Sequence, residues 1–243
     1  MTIYHSLKYY LKIGYLPILD RYRLKDINFE YGCFIALDVC LPLYKVLEIN
    51  AQSLQDTWGK IDEYVTNSLR IITDVYGEEI EIDAKDKLRD VDREIINEIE
   101  YRLKEPPTAC YPLYFISVGD GIDERLVYVG KTSSKTHRFS GGHSAALKLH
   151  APKYEGLSKH IYFGTVVFLD NNKNYMPLEF IQPFEDAKSL LSNLEAGLIF
   201  NLQPELNSIY INNSYALFDM YVNIENHSSR PGLLQNKQVS IQT

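Results

Sequence analysis

Cysteine is scarce: Cys33, Cys40 and Cys110 are the only three in 243 residues. The set is odd and its spacing matches no metal-ligand pattern, which predicts free thiols in a reducing compartment rather than disulfides or a zinc site. Long apolar runs are missing too. No stretch approaches the roughly 20 residues that a membrane helix needs. Polar and charged residues interrupt the apolar ones near the N-terminus, so no secretory signal is expected. The expected location is the cytoplasm. No internal repeat is evident.

What is present suits a globular chain, with 45% hydrophobic and 23% charged residues and length enough to bury a real core. The net charge of −7 argues at first against nucleic acid. Its distribution argues otherwise. Residues 1–105 hold 14 Lys and Arg against 20 Asp and Glu, whereas Arg125–His160 holds seven basic residues and one acidic, Glu155. Those seven are Arg125, Lys131, Lys135, Arg138, Lys148, Lys153 and Lys159, and four histidines share the window. A local basic patch on an acidic protein can hold phosphate, although a solvated face would look the same.

Along the chain, residues 1–50 do not separate into helix or strand by periodicity. From Ser53, the residues Leu54, Trp58, Ile61, Val65, Leu69, Ile72 and Tyr76 recur at three and four, and Gly77 follows. That pattern predicts an amphipathic helix with a C-terminal stop. A second helix is expected from about Asp83 to Lys104, with Leu88, Val91, Ile95, Ile99 and Leu103 on one stripe and Pro106-Pro107 ending it. Leu113–Val118 and Arg125–Thr132, rich in β-branched and aromatic residues, flank Gly119-Asp120-Gly121 and predict a hairpin. Folded about Gly121, it would set Tyr114 and Tyr128 opposite one another on one face. Ile161–Leu169 reads as a third, buried strand and Asp186–Leu202 as a helix. The predicted division is a mainly helical region over 1–107 for target contacts or dimerisation, a central domain over 108–222, and a polar tail over 223–243 with the composition of disorder.

Glu195 carries the most information. On the 186–202 helix, Leu191, Leu194, Leu198 and Leu202 form the inward stripe, and Glu195 falls inside it. A carboxylate there needs a cation or donors; it is either a helix-edge residue paired with a nearby Lys or Arg, or a metal or catalytic group. Arg138 suits a phosphate or a surface carboxylate. His143 follows it by five residues, about 500° of helical rotation, so Gly141-Gly142 must break the backbone if both serve one site.

These residues together resemble the GIY-YIG nucleases, which include homing endonucleases, excision-repair incision subunits and some type II restriction enzymes. The likeness runs from Tyr111 to about Ser208. Pro112-Leu113-Tyr114 stands where that family has GIY and keeps only its tyrosine; Tyr128-Val129-Gly130 is similar to YIG, with Lys131 following. Arg138 falls at the place of the family's helix arginine, and Glu195, Ile199, Pro204 and Asn207 resemble its closing motif. The implied fold is α+β: a small three-stranded antiparallel sheet flanked by helices, here preceded by the mainly helical N-terminal region.

The implied activity is metal-dependent endonuclease cleavage of double-stranded DNA, in restriction or DNA defence, by a monomer or a homodimer. Glu195 would hold one Mg²⁺ or Mn²⁺. Tyr114 or Tyr128, assisted by His143, would deprotonate or orient water, although a phenol with a reference pKa near 10 is a poor base unless cations depress it. Arg138 and Lys131 would offset charge on the phosphate, Lys135 and Lys148 would add DNA contacts, and Asn207 would position its neighbours. Two other readings compete: a nucleic-acid-binding module without catalysis, and an unrelated α+β enzyme.

Overall fold

Ser53 begins the first helix as the periodicity predicts, its hydroxyl accepting a hydrogen bond from the Asp56 backbone N–H, and Gly77 ends it in the left-handed region at φ 71°. The structure, a computed structural model, describes residues 21–48, 53–77, 93–132, 139, 143–213 and 215–242. Four α-helices are seen among these: α1 (Leu54–Tyr76), α2 (Arg93–Leu103), α3 (Ser144–Lys148) and α4 (Phe184–Leu202). The strands are β1 (Cys33–Pro42), β2 (Leu113–Val118), β3 (Arg125–Lys131), β4 (Lys159–Leu169), β5 (Tyr175–Pro177), β6 (Met220–Asn226) and β7 (Lys237–Ile241). Asp83, Leu88 and Val91, expected in the second helix, lie outside the described residues.

The expected small three-stranded sheet is overturned. All seven strands share one curled, mixed sheet in the order β3-β2-β4-β1-β6-β7, with β5 also on β4. The cause lies in β4, eleven residues long and buried from His160 to Leu169. A strand covered on both faces must be paired on both sides. The six residues of β2 pair only Lys159–Gly164, β5 pairs Val167–Leu169 beyond it, and β1 runs antiparallel along the opposite side.

The N-terminal region, besides carrying α1 and α2, also enters this sheet. It supplies β1 between β4 and β6, and β1 pairs β6 in parallel. The polar stretch from residue 223 is also ordered as the end of β6 and as β7. In β6, Met220, Val222 and Ile224 point inward while Tyr221, Asn223 and Glu225 point outward or lie at the surface.

One face of the sheet buries Phe115, Val129, Tyr162, Phe168 and Val222 against α1, α2 and α4. The other buries Tyr114, Ile116, Val127, Ile161 and Phe163 beneath α3 and Tyr154. Helix α4 reaches both outer strands: Glu195 pairs with Lys131 of β3, and a Cβ on Gly197 would lie 2.4 Å from Ile241 Cδ1 of β7. The curled sheet thus wraps around this helix. No described helix is long and apolar enough to cross a membrane, and the three cysteines are free.

Candidate active site

β3 is an outer strand, and its last four residues gather the groups singled out above. Alternation sends Tyr128 and Gly130 to the α3 side and Val129 and Lys131 to the α4 side. The hairpin register differs from the expected one. Tyr114 pairs with Gly130, and Tyr128 pairs with Ile116, because the register shifts at Ile116/Ser117 and the turn centres nearer residue 122. The two tyrosines are diagonal neighbours on one face, their rings 6.0 Å apart and 25° from parallel.

This offset puts a glycine opposite Tyr114, and the glycine is required there. A Cβ on Gly130 would lie 2.4 Å from the Tyr114 phenol oxygen and 2.8 Å from Tyr128 Cε1. Tyr114 is fully buried, packs edge-on against Phe139 at 5.1 Å, and its phenol oxygen lies 2.8 Å from His143 Nε2 in a hydrogen bond. His143 is itself buried and stands edge-on to Tyr128 at 5.2 Å. It is extended (φ −130°, ψ 123°) at the N-cap of α3, so it precedes the helix and the rotation argument does not apply to it.

On the opposite side of the same strand end, Lys131 Nζ lies 3.0 Å from Glu195 Oε2 and donates to Ser192 Oγ at 2.9 Å. Ser192 and Glu195 are three apart on α4 and therefore share a face. The Glu195 side chain retains 15% exposure, so the carboxylate within the apolar stripe is paired but still open to water. Gly130 and Lys131 are adjacent, about 3.8 Å apart at Cα, so the phenol–imidazole pair and the ammonium–carboxylate pair flank one strand end from opposite faces of the sheet.

Asn207 laces that edge. Its Oδ1 accepts from Val129 N–H and its Nδ2 donates to Val129 C=O, both at 2.9 Å, while Leu206 N–H donates to Val127 C=O. The side-chain amide thus stands in for a neighbouring strand. Asn207→Ala leaves one donor and one acceptor of β3 unpaired, with an expected cost of about 1–3 kcal/mol. A urea midpoint unchanged from that of the parent would remove this role.

The chain matches no family model, no curated protein and no solved structure.

Of the remaining predicted residues, Arg138 and Lys135 lie outside the described residues. Lys148 donates to the Leu206 carbonyl at 3.3 Å. The basic window is not a uniform cationic face, since Arg125 and Lys153 both pair with Glu205, at 2.7 and 3.3 Å. Tyr154 donates to the same carboxylate at 2.5 Å. Those hydrogen bonds, from Tyr154 first, hold the Glu205 carboxyl down to about 2. A second acidic hub, Glu124, whose side chain is enclosed where that of Glu205 is open, accepts from Ser117 Oγ at 2.6 Å and Tyr162 at 2.7 Å, and Arg230 reaches it at 3.3 Å and Asp120 at 2.8 Å. Sequence reasoning missed both hubs, because no local spacing links residue 124 with 230 or 125 with 205.

Among the described residues no group of three or more His, Cys, Asp and Glu is placed to hold a metal ion. A single carboxylate can still suffice for Mg²⁺, which keeps several waters and is completed by substrate phosphate oxygens. Glu195 fits that requirement: it is partly open and already holds one cation, the Lys131 ammonium.

Proposed function

We propose that this chain is a metal-dependent endonuclease that hydrolyses phosphodiester bonds in double-stranded DNA. The observation that carries the proposal is the placing of two pairs about the strand end at Gly130-Lys131, Tyr114 with His143 on one face and Lys131 with Glu195 on the other. Phosphodiester hydrolysis requires a positioned water, a proton acceptor, and positive charge beside the phosphate. A lone phenol is a poor acceptor at neutral pH. A phenol bonded to an imidazole is better placed, because it can pass its own proton to His143 as it takes one from water, and histidine changes charge nearest neutrality. Lys131 supplies a fixed positive charge. Glu195 would hold Mg²⁺ or Mn²⁺, which when bound supplies Lewis-acid polarisation of the phosphate. Cutting both strands would call for a homodimer with one site per strand, and restriction or DNA defence is the setting we propose.

Purified protein with Mg²⁺ or Mn²⁺ is expected to nick or linearise plasmid DNA. EDTA should stop the reaction, and Glu195→Gln should slow it at least about 100-fold. Parent protein that leaves DNA intact with either metal ends this proposal. One observation favours a second reading, binding without cleavage: the Lys131 ammonium already occupies the carboxylate that a metal would need. That reading expects DNA affinity that falls steeply with salt and does not change with Mg²⁺ or with Glu195→Gln.

A further inference from the structure

A cleft of about 570 Å³ opens at the far end of α3 from His143. Leu43 and Tyr44, just beyond β1, form one side; Ala146 and His150 form the other, and Leu157 and Lys159 lie between them. Ala146 is three residues past His143, so this wall begins within one helical turn of the residue that bonds Tyr114. The cleft lies within the size range that small ligand groups occupy.

Two features define what fits. Tyr44 is 81% exposed at the rim, an aromatic ring held out in water, and Leu157 beside it is 38% exposed. The charge around the cleft also differs from that elsewhere in the basic window. Arg125, Lys131 and Lys153 each rest against a carboxylate. Lys159 instead donates to the carbonyl oxygens of Tyr154 and Leu157, and Lys148, two residues from Ala146, donates to a carbonyl as well. Among the described residues, the lining contains lysine and histidine and no acidic side chain. His160 lies 3.8 Å from Glu124, so Lys159, held by carbonyls, is the cation that the lining sets near an exposed aromatic ring, the combination that binds single strands: stacking for the base and a cation for its phosphate.

We infer that this cleft receives one unstacked nucleotide of a nucleic-acid strand, with its base on the Tyr44 ring and its phosphate beside Lys159 and His150. The inference rests on the nucleic-acid reading of the neighbouring site and adds to it a requirement for an unpaired or opened position close to the cut. A fully paired duplex offers no free base face, so a strand would be gripped here only where it is frayed, flipped or single.

The test is binding without cleavage. Fluorescence anisotropy of the full chain in EDTA would compare a labelled single-stranded oligonucleotide with the duplex of the same sequence. Tyr44→Ala is expected to weaken single-strand binding roughly 5- to 100-fold, Tyr44→Phe to restore it, and neither to move duplex affinity by more than about twofold. Lys159→Gln should lower the salt slope of single-strand binding by about one. Unchanged single-strand affinity in Tyr44→Ala would overturn the inference, as would an equal loss for the duplex. Free dAMP binding as tightly as the oligonucleotide would overturn the assignment to a strand. The two proposals fail separately: plasmid cleavage with no Tyr44 effect removes only this one, and a Tyr44-dependent grip without cleavage removes only catalysis. If no nucleic acid binds at all, both are lost.

Discussion

Gly130→Ala is expected to abolish DNA cleavage, by at least about 100-fold, and to lower stability by about 1–3 kcal/mol. The added methyl would stand 2.4 Å from the phenol carbon and oxygen of Tyr114 and 2.8 Å from the ring of Tyr128. None of these atoms can yield easily. Tyr114 is fully buried, with Phe139 on one side and His143 at its hydroxyl. Relief must come from swinging the phenol away from His143 or from pushing β3 off β2, and either breaks the alignment on which the proposed proton transfer depends. Gly164→Ala is the matched control. It lies on β4, and its new methyl would meet the side-chain ends of Ile35 and Leu37 at 3.0 and 3.2 Å. That variant should lose some stability and keep its cleavage rate per folded molecule. Equal cleavage by the two variants, measured on plasmid and corrected for folded fraction, would show that Gly130 serves packing alone.

Stability should fall by about 3 kcal/mol between pH 4.5 and pH 8 on account of one buried acid. Glu179 lies in the short turn after β5, fully enclosed, with the Cys110 thiol 3.7 Å from its Oε2. Desolvation pushes its carboxyl up to about 7, against the opposing pull of hydrogen bonds from its own backbone and from Cys110. The sign follows from proton counts. Between the unfolded value near 4.5 and the folded value near 7, the native state keeps a proton that the unfolded chain has released. Unfolding there releases a proton, so rising pH favours the unfolded state until Glu179 ionises in the fold as well. The stabilisation is whole below about 4.5 and gone above about 7. Glu179→Gln, which is neutral at every pH, should flatten this slope and raise the urea midpoint at pH 8 while changing little at pH 5. A variant whose pH slope matches that of the parent would place the titrating group elsewhere. Asp38, pushed up to about 6 mainly by burial, contributes in the same direction, so the slope should shrink rather than vanish.

Local pattern revealed those parts of the fold that local pattern determines. The period of α1 with its Ser53 and Gly77 ends, the two strands around Gly119-Asp120-Gly121, and α4 all follow from neighbours along the chain. What escaped was set at a distance. β1 became legible as a strand only beside β4 and β6, since its apolar run fits helix and strand equally. In β6 the alternation of Met220, Val222 and Ile224 was present in the sequence but was outweighed by the polar residues between them. Its parallel pairing with Cys33–Leu37 joins residues nearly two hundred positions apart, beyond any spacing rule.

The site divides in the same way. Tyr114, Tyr128 and His143 do come together, as do Lys131 and Glu195. The cation that a carboxylate within the apolar stripe requires is the Lys131 ammonium. A one-residue register shift together with the placement of the turn, neither visible in the sequence, sets Gly130 and not Tyr128 opposite Tyr114. The basic window proved uneven because Glu205, some fifty to eighty positions downstream, neutralises Arg125 and Lys153.

Helix α4 touches both outer strands, with Lys131 beside Glu195 at one and Ile241 under Gly197 at the other. A sheet held at both margins by one rod cannot change its curvature without turning that rod. The position of Glu195 is therefore expected to respond to the state of β7, on the far margin from the hairpin, although no residue of β7 belongs to the site. Cutting the backbone within the turns at 231–236 would slacken the wrap from its remote side. The protein so nicked is expected to lose any cleavage rate it has while its hairpin, its helix and their local contacts stay in place, with the C-terminal strand acting as a tensioner for a site that it never touches.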